Sequence, residues 1–142
     1  MTVPSIDPLR AIETVLESVL GVEVYDTIPP LDKTAEQFLL LTEQAPSDPS
    51  IPGHLERVTL TIEAWVGDGA ATTRTSRCLA LAVAARDALW AAWRTPGAQH
   101  TTAFGAVAYV RAAGRPVLLP SGLDGVARCS LTARLSVRRT RP

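Results

Sequence analysis

The sequence predicts an α+β fold in which a mostly antiparallel sheet of about five strands packs against an N-terminal helix and a long central Ala-rich helix. Three observations predict it. The stretch Arg74 to Trp93, RTSRCLALAVAARDALWAAW, consists mainly of strong helix formers and is apolar on every side between Cys78 and Ala85, as in a helix largely covered by other structure. The stretches Leu55 to Val66 and Val126 to Arg138 alternate apolar and polar residues with a period of two, as strands with one face on a core do. A second helical repeat precedes the first strand, and the 142 residues suffice for one domain, 1–142, with a sizeable core.

The first helix is marked by Asp7 as N-cap and Pro8 at the first helical position. Leu9, Ile12, Leu16, Val19 and Leu20 then recur at helical spacing up to Gly21, with Arg10, Glu13, Glu17 and Ser18 on the other side. Val22-Glu23-Val24-Tyr25 reads as a short strand stopped by Ile28-Pro29-Pro30. Gln37 to Thr42, containing Phe38-Leu39-Leu40-Leu41, reads as a strand apolar on both faces and therefore interior to the sheet.

Residues 43–54 are predicted to be a loop, with three prolines and one glycine among polar residues, and are a candidate for ordering on a partner. In Leu55 to Val66, Val58, Leu60, Ile62 and Ala64 take one face and Arg57, Thr59, Thr61 and Glu63 the other. Trp65 places a large aromatic on the polar face, which marks either a contact surface or a second packed layer. The central helix is expected to take its N-cap from Thr75 or Ser76 and to end at Pro96-Gly97, with Leu79, Leu81, Val83, Leu89, Trp90 and Trp93 filling the space around it.

Ala103 to Arg111 reads as a strand turning near Gly114-Arg115-Pro116, and residues 116–125 as an irregular segment whose leucines need a cover. In the last strand Cys129, Leu131, Ala133, Leu135 and Val137 face one way, and Arg128, Ser130, Thr132, Arg134, Ser136 and Arg138 the other. Its length allows it to outrun its neighbours and pair with another subunit. Arg138, Arg139 and Arg141 end the chain; with Trp65, Arg128 and Arg134 they form the candidate interface. No aromatic residues interleave with these arginines as a single-strand nucleic-acid binder requires.

With 46% apolar and 20% charged residues the composition excludes a disordered chain. No basic start leads into an apolar run and cleavage site, and no apolar run approaches the ~18 residues that span a bilayer, so a cytosolic protein without membrane contact is expected. Cys78 and Cys129 lie among apolar residues as buried free thiols; with His54 and His100 they are scattered singly, so neither metal nor cofactor is expected. Formal charge is zero but divided: residues 1–70 hold twelve acids and three bases, a net −9, and residues 71–142 two acids and eleven bases, a net +9. If folding keeps these halves apart, the subunit is a dipole suited to head-to-tail contacts.

Enzymatic motifs are weak. Gly67-Asp68-Gly69-Ala70-Ala71-Thr72 sits between strand and helix, where a dinucleotide-binding G-x-G-x-x-G belongs, but Thr72 replaces the third glycine and Asp87 lies inside the helix. The sole lysine is Lys33, no G-x-S-x-G is present, and no catalytic residue is assigned, so the protein is not expected to be an enzyme.

The capped helix from Asp7 to Leu20, the strand ending in Tyr25 before Ile28-Pro29-Pro30, the strand Leu55 to Val66 leading through a glycine-rich turn into the Ala-rich helix, and the alternating basic final strand together cover nearly the whole chain. In this order they resemble the tail terminator and related tail-completion proteins of long-tailed, siphovirus-like bacteriophages. The resemblance implies a homo-oligomeric ring, usually a hexamer, that docks on the major tail tube protein, ends tube polymerisation and presents a surface to the head-tail connector protein. It implies a virion location at the head-proximal end of the tail after assembly in the host cytoplasm, with DNA only passing through a lumen that the acidic half could line. It carries over no catalytic residue. The alternatives are a head-tail connector or neck completion protein and, in another class, a small ligand-binding or enzymatic α+β domain using the Gly67-Asp68-Gly69 turn.

Overall fold

A computed structural model describes residues 7–29, 37–44, 55–67, 69–94 and 101–139. Helix α1, Pro8–Leu20, begins as its sequence dictates: Asp7 is extended and its carboxylate accepts from the Arg10 N–H at 3.2 Å. It stops because Gly21 adopts a left-handed φ of 66° and donates its N–H to the Glu17 carbonyl. Strands β1 (Glu23–Tyr25), β2 (Gln37–Gln44) and β3 (Leu55–Val66) precede helix α2, Ala71–Arg94; β4 (Thr101–Thr102), β5 (Gly105–Ala113), β6 (Val117–Leu119) and β7 (Ala127–Arg138) follow it.

The strands form one sheet in the order β1-β2-β3-β7-β5-β4, with β6 also paired to β7. Among the described residues only β1 and β2 run parallel, and the other pairings are antiparallel. The α+β expectation holds, with two short strands, β4 and β6, beyond the number expected. Residues 117–119 of the segment read as irregular form β6, and the turn after them is organised by Ser121, whose hydroxyl accepts from the Leu123 N–H at 3.1 Å and lies 2.8 Å from the Val126 carbonyl.

Strand β7 corrects a larger expectation. All twelve of its residues pair with the twelve of β3, from Ala127 opposite Val66 to Arg138 opposite Leu55. On its other edge β6 covers Arg128 to Ser130 and β5 covers Ala133 to Arg138, while the Gly114 N–H reaches the Thr132 carbonyl at 2.9 Å between them. The final strand is therefore central and offers no free edge to another subunit. The free edges among the described residues belong to β1, to β4 with the stretch of β5 beyond it, and to β6.

Both helices lie on one face of the sheet. At its N-terminal end α1 is tied to the β4–β5 turn, where the Asp7 N–H donates to the Phe104 carbonyl at 3.0 Å and the Arg10 guanidinium sits 4.4 Å from the centre of the Phe104 ring. Ile12, Val15 and Leu16 of α1 meet Leu39 and Leu41 of β2, Leu60 and Ile62 of β3, and Leu131 and Leu135 of β7 in one core. Helix α2 buries Cys78, Ala82, Ala85 and Leu89 in that core, a spacing of three to four residues that makes one helix face. Because most of these side chains are small, the helix axis can lie close to the strands.

Two expectations about α2 are corrected. The helix starts at Ala71, and the Arg74 N–H donates to the Ala70 carbonyl, so Thr75 and Ser76 sit inside the helix instead of capping it. Ala80, Asp87 and Ala91 are exposed, so the helix is covered on its sheet side and by α1 but not all round. No helix among the described residues is long and apolar enough to cross a membrane. The segment 45–54 and the Pro96-Gly97 stop lie outside the described residues, whereas Glu43 and Gln44 extend β2 beyond its expected end.

Ala82 is fully buried between helix and sheet. Enlarging it in Ala82→Leu is expected to push α2 from the strands and cost about 1–3 kcal/mol, read as a lower urea midpoint with an unchanged denaturant slope.

Candidate functional site

The β3–β7 register fixes what the face opposite the helices carries. Leu55, Arg57, Thr59, Thr61, Glu63 and Trp65 alternate onto it from β3, opposite Arg138, Ser136, Arg134, Thr132, Ser130 and Arg128 of β7. Strand β2 adds Phe38 opposite Trp65 and Leu40 opposite Glu63. The outer face thus has an aromatic end and, about 20 Å along the strands, an arginine and threonine end.

At the aromatic end Trp65 is only 5% exposed and belongs to a second packed layer on this face, one of its two expected settings. Its ring stacks on Phe38 with centroids 5.7 Å apart and planes 10° from parallel, and Tyr25 meets Phe38 edge-on at 5.6 Å. Leu40, Tyr25 and Val126 complete this second, smaller apolar cluster. The Trp65 indole Nε1 is buried with no hydrogen-bond partner among the described residues. Glu63, buried beside this cluster, accepts from Arg128 Nε in an ion pair. Arg128 also donates to the Pro120 carbonyl at 3.2 Å and lies 5.2 Å from the Trp65 ring centre. Trp65 and Arg128 are therefore brought together, but both are engaged within the chain.

The remaining candidates divide. Arg134 and Arg138 are exposed on the arginine and threonine end of the same face. Arg138 donates to the Arg139 carbonyl at 3.3 Å; Arg139 is half-buried, follows the strand and leaves the outer face, and its Nε has no partner among the described residues. Arg141 lies outside the described residues.

A further feature was not singled out from sequence. Burial raises the Glu13 pKa above its ordinary value of 4.5, and the negative charges of Asp26 and Glu17 raise it further, against an opposing contribution from Arg10. Glu13 and Glu17 belong to α1 and Asp26 follows β1, so an acidic corner gathers on the helix side beside the β1 edge. The arginines of β7 lie on the opposite face. The charge division of the sequence is thus kept apart at these two places and bridged at Glu63–Arg128. Alternation along α1 already placed Glu13 and Glu17 on one side; their nearness to Asp26 needed the strand that follows.

A second exposed surface lies on β5 and β6. Val117 and Leu118 of β6 are 57% and 49% exposed, so the segment expected to need a cover has none among the described residues. Trp93 meets Tyr109 of β5 edge-on at 4.7 Å, and the Arg94 guanidinium lies 5.2 Å from the Trp90 ring centre.

The glycine-rich turn is described only in part, since Asp68 lies outside the described residues; Gly69 has a φ of 87°. Beside it an open cleft of about 210 Å³ is lined by Arg74, Thr75, Gly125, Val126 and Ala127, a set without a carboxylate, imidazole or thiol. Among the described residues no group of three or more His, Cys, Asp or Glu side chains is placed to hold a metal ion.

A chain in the solved virion of a native gene transfer agent particle is similar in structure, with a TM-score of 0.53 and 24% sequence identity over 92% of this chain and 88% of that one. The likeness is one of fold. No protein-family model and no curated protein matches the sequence.

Two substitutions test this surface. Trp65→Ala is expected to cost about 3–5 kcal/mol in urea unfolding, and Trp65→Phe clearly less, because the indole N–H gives up no hydrogen bond. Glu13→Gln probes the acidic corner. A carboxyl whose folded pKa exceeds its unfolded value loses stability as pH rises through that window, so the variant is expected to match the parent below pH 4.5 and to exceed it at neutral pH. Thermal midpoints across pH 3.5–7.5, roughly spanning the carboxylate range, check the sign.

Proposed function

We propose that this chain is a structural virion protein of a phage-like particle, forming a homo-oligomeric ring that caps the tail tube, ends its polymerisation and provides the joint to the head connector. The observation that carries the reading is the fold shared with a chain of the gene transfer agent virion over most of both lengths. The tail-end position comes from the resemblance to tail terminator proteins. The reading is non-enzymatic, and it locates the protein at the head-proximal end of the tail, with DNA passing through the ring unbound.

Charge placement supports a head-to-tail contact. An acidic corner and an arginine-bearing face on opposite sides of one subunit complement one another between successive subunits, and such a heterologous contact closes into a ring when its rotation divides a full turn. In this arrangement Arg134 and Arg138 of one copy face Glu13, Glu17 and Asp26 of the next. Trp65 and Arg128 stiffen the face that presents the arginines.

Light scattering across concentration and salt is expected to give a mass near six times the 15.1 kDa of the chain, falling with salt. Arg134→Glu combined with Arg138→Glu is expected to yield monomers that keep the parental circular dichroism. Added to polymerising tail tube protein, the parent chain is expected to bind tube ends and fix their length. A chain that binds a connector ring but never a tube end would overturn the capping role in favour of a neck completion protein.

A further inference from the structure

Cys78 and Cys129 are buried free thiols, as the sequence leads one to expect, and folding places them together. Cys129 pairs with Ala64 on the helix-facing side of the sheet, and Cys78 sits above them on α2. Their sulfurs are 3.4 Å apart, and both residues are fully buried. Each thiol also has a backbone acceptor within reach, the Ala64 carbonyl at 3.1 Å for Cys78 and the Cys78 carbonyl at 3.2 Å for Cys129.

We infer that Cys78 and Cys129 form an oxidisable pair that closes an intramolecular disulfide between α2 and β7 when the folded chain meets a low-molecular-weight disulfide. The sulfurs need to approach by about 1.4 Å to reach bonding length. One thiol loses its proton and attacks a sulfur of the small disulfide, making a mixed disulfide and releasing one thiolate. The second thiol then loses its proton and attacks the protein sulfur of that mixed bond, releasing the other thiolate. The protein gives up two protons and two electrons, and the oxidant leaves as two thiols.

Donation to the Cys129 sulfur pushes the Cys78 thiol up, with burial adding to the rise, and draws the Cys129 thiol down against the opposing effect of its burial. Access follows from the cleft described above. Thr75, one helical turn before Cys78, and Ala127, two residues before Cys129 on the same face of β7, both line it, so a small local opening at the start of α2 admits the oxidant.

The bridge would join residues 78 and 129 and restrict the unfolded chain over a long loop, which raises stability without altering the surface. Its setting rests on the virion reading: a capping protein assembles in a reducing cytoplasm and leaves it in a released particle, where disulfides persist. The pair would then stay open during assembly and lock the α2–β7 core afterwards.

The test incubates the purified, reduced full-length chain with oxidised glutathione under native conditions. The expected product is about 2 Da lighter, carries no glutathione, has no thiol titratable in denaturant, and yields one linked peptide pair containing Cys78 and Cys129 that separates on reduction. Its thermal midpoint is expected to rise on the order of 10 °C and to return on reduction. Cys129→Ala is expected to form no bridge; the peptide map of the parent decides the question even if this variant is unstable. Two free thiols persisting in the folded chain, while the urea-unfolded chain is oxidised by the same reagent, would overturn the inference, as would a stable glutathione adduct or a bridge between copies. In released particles, unfolding directly into denaturant with the alkylating reagent present, before any reductant, separates the two proposals: a chain present with both thiols alkylated overturns the lock alone, and a chain absent from the particles overturns the virion reading alone, leaving the solution result to decide the bridge.

Discussion

The twelve-residue antiparallel pairing of β3 with β7 is the constraint on which the rest of the structure depends. A strand has a side-chain period of two, so one register decides at once which residues face the helices and which face outward; a slip of one residue would exchange them. With Val66 opposite Ala127 and Leu55 opposite Arg138, all of Val58, Leu60, Ile62, Cys129, Leu131, Ala133 and Leu135 fall beneath α1 and α2. The same register puts Trp65 beside Arg128 and Glu63 beside Ser130 on the outer face, within reach of the ion pair. Hydrophobic burial favours this register strongly, because the alternative would expose the whole core-facing set of both central strands.

The outer face is less uniform than an ordinary solvated sheet face. Its aromatic end is built as a small core, with Phe38, Leu40 and Trp65 nearly covered, and it holds a carboxylate almost out of water. A buried charge is tolerable only when paired and hydrogen-bonded, which accounts for Arg128 reaching across from β7. The ion pair fixes the position of the cluster more than it stabilises the fold, since desolvation of Glu63 offsets much of the attraction. Beyond that end the face is polar and open, and Arg134 and Arg138 are presented by strands held on both sides. Arginines on a rigid central strand lose less freedom on meeting a partner than arginines on a loop, which suits a surface of fixed geometry.

Most of the fold was legible because its elements carry local signals. Asp7, Pro8 and Gly21 bound α1 through capping chemistry, and strict alternation located β3 and β7 to within a residue. The expectations that failed depended on three-dimensional neighbours. A long strand with basic residues at its end looks the same whether it protrudes or lies at the centre; only the pairing of β5 and β6 along one edge of β7 distinguishes the two cases. Trp65 broke the alternation and was legible as unusual, but its burial required Phe38 and Leu40, the outward half of a strand that was apolar on both faces. Two local irregularities were one cluster seen from two strands. The start of α2 was misplaced because the helix formers begin later than the helix, whose first turn is formed by Ala71, Thr72 and Thr73 after the glycine-rich turn. The pairing of Cys78 with Cys129 has no sequence signal at all, since fifty residues separate a helix position from a strand position.

The acidic corner gives the assembly proposal its physical content. The raised Glu13 pKa records its partial burial first and then the repulsion of Asp26 and Glu17 in the isolated subunit. Nothing in the packing of α1 requires this arrangement, because the residues that seat the helix are Ile12, Val15 and Leu16. A like-charged group that destabilises a subunit becomes favourable when an arginine-bearing surface docks on it, so in the proposed ring the same residues that cost stability in the monomer would contribute to association. The effect is directional: the arginine face cannot relieve the acidic corner of its own subunit from the other side of the sheet, and it can do so only for a neighbour. Charge placement of this kind favours subunits that meet face to opposite face over subunits that meet in symmetric pairs, which would bring acid against acid.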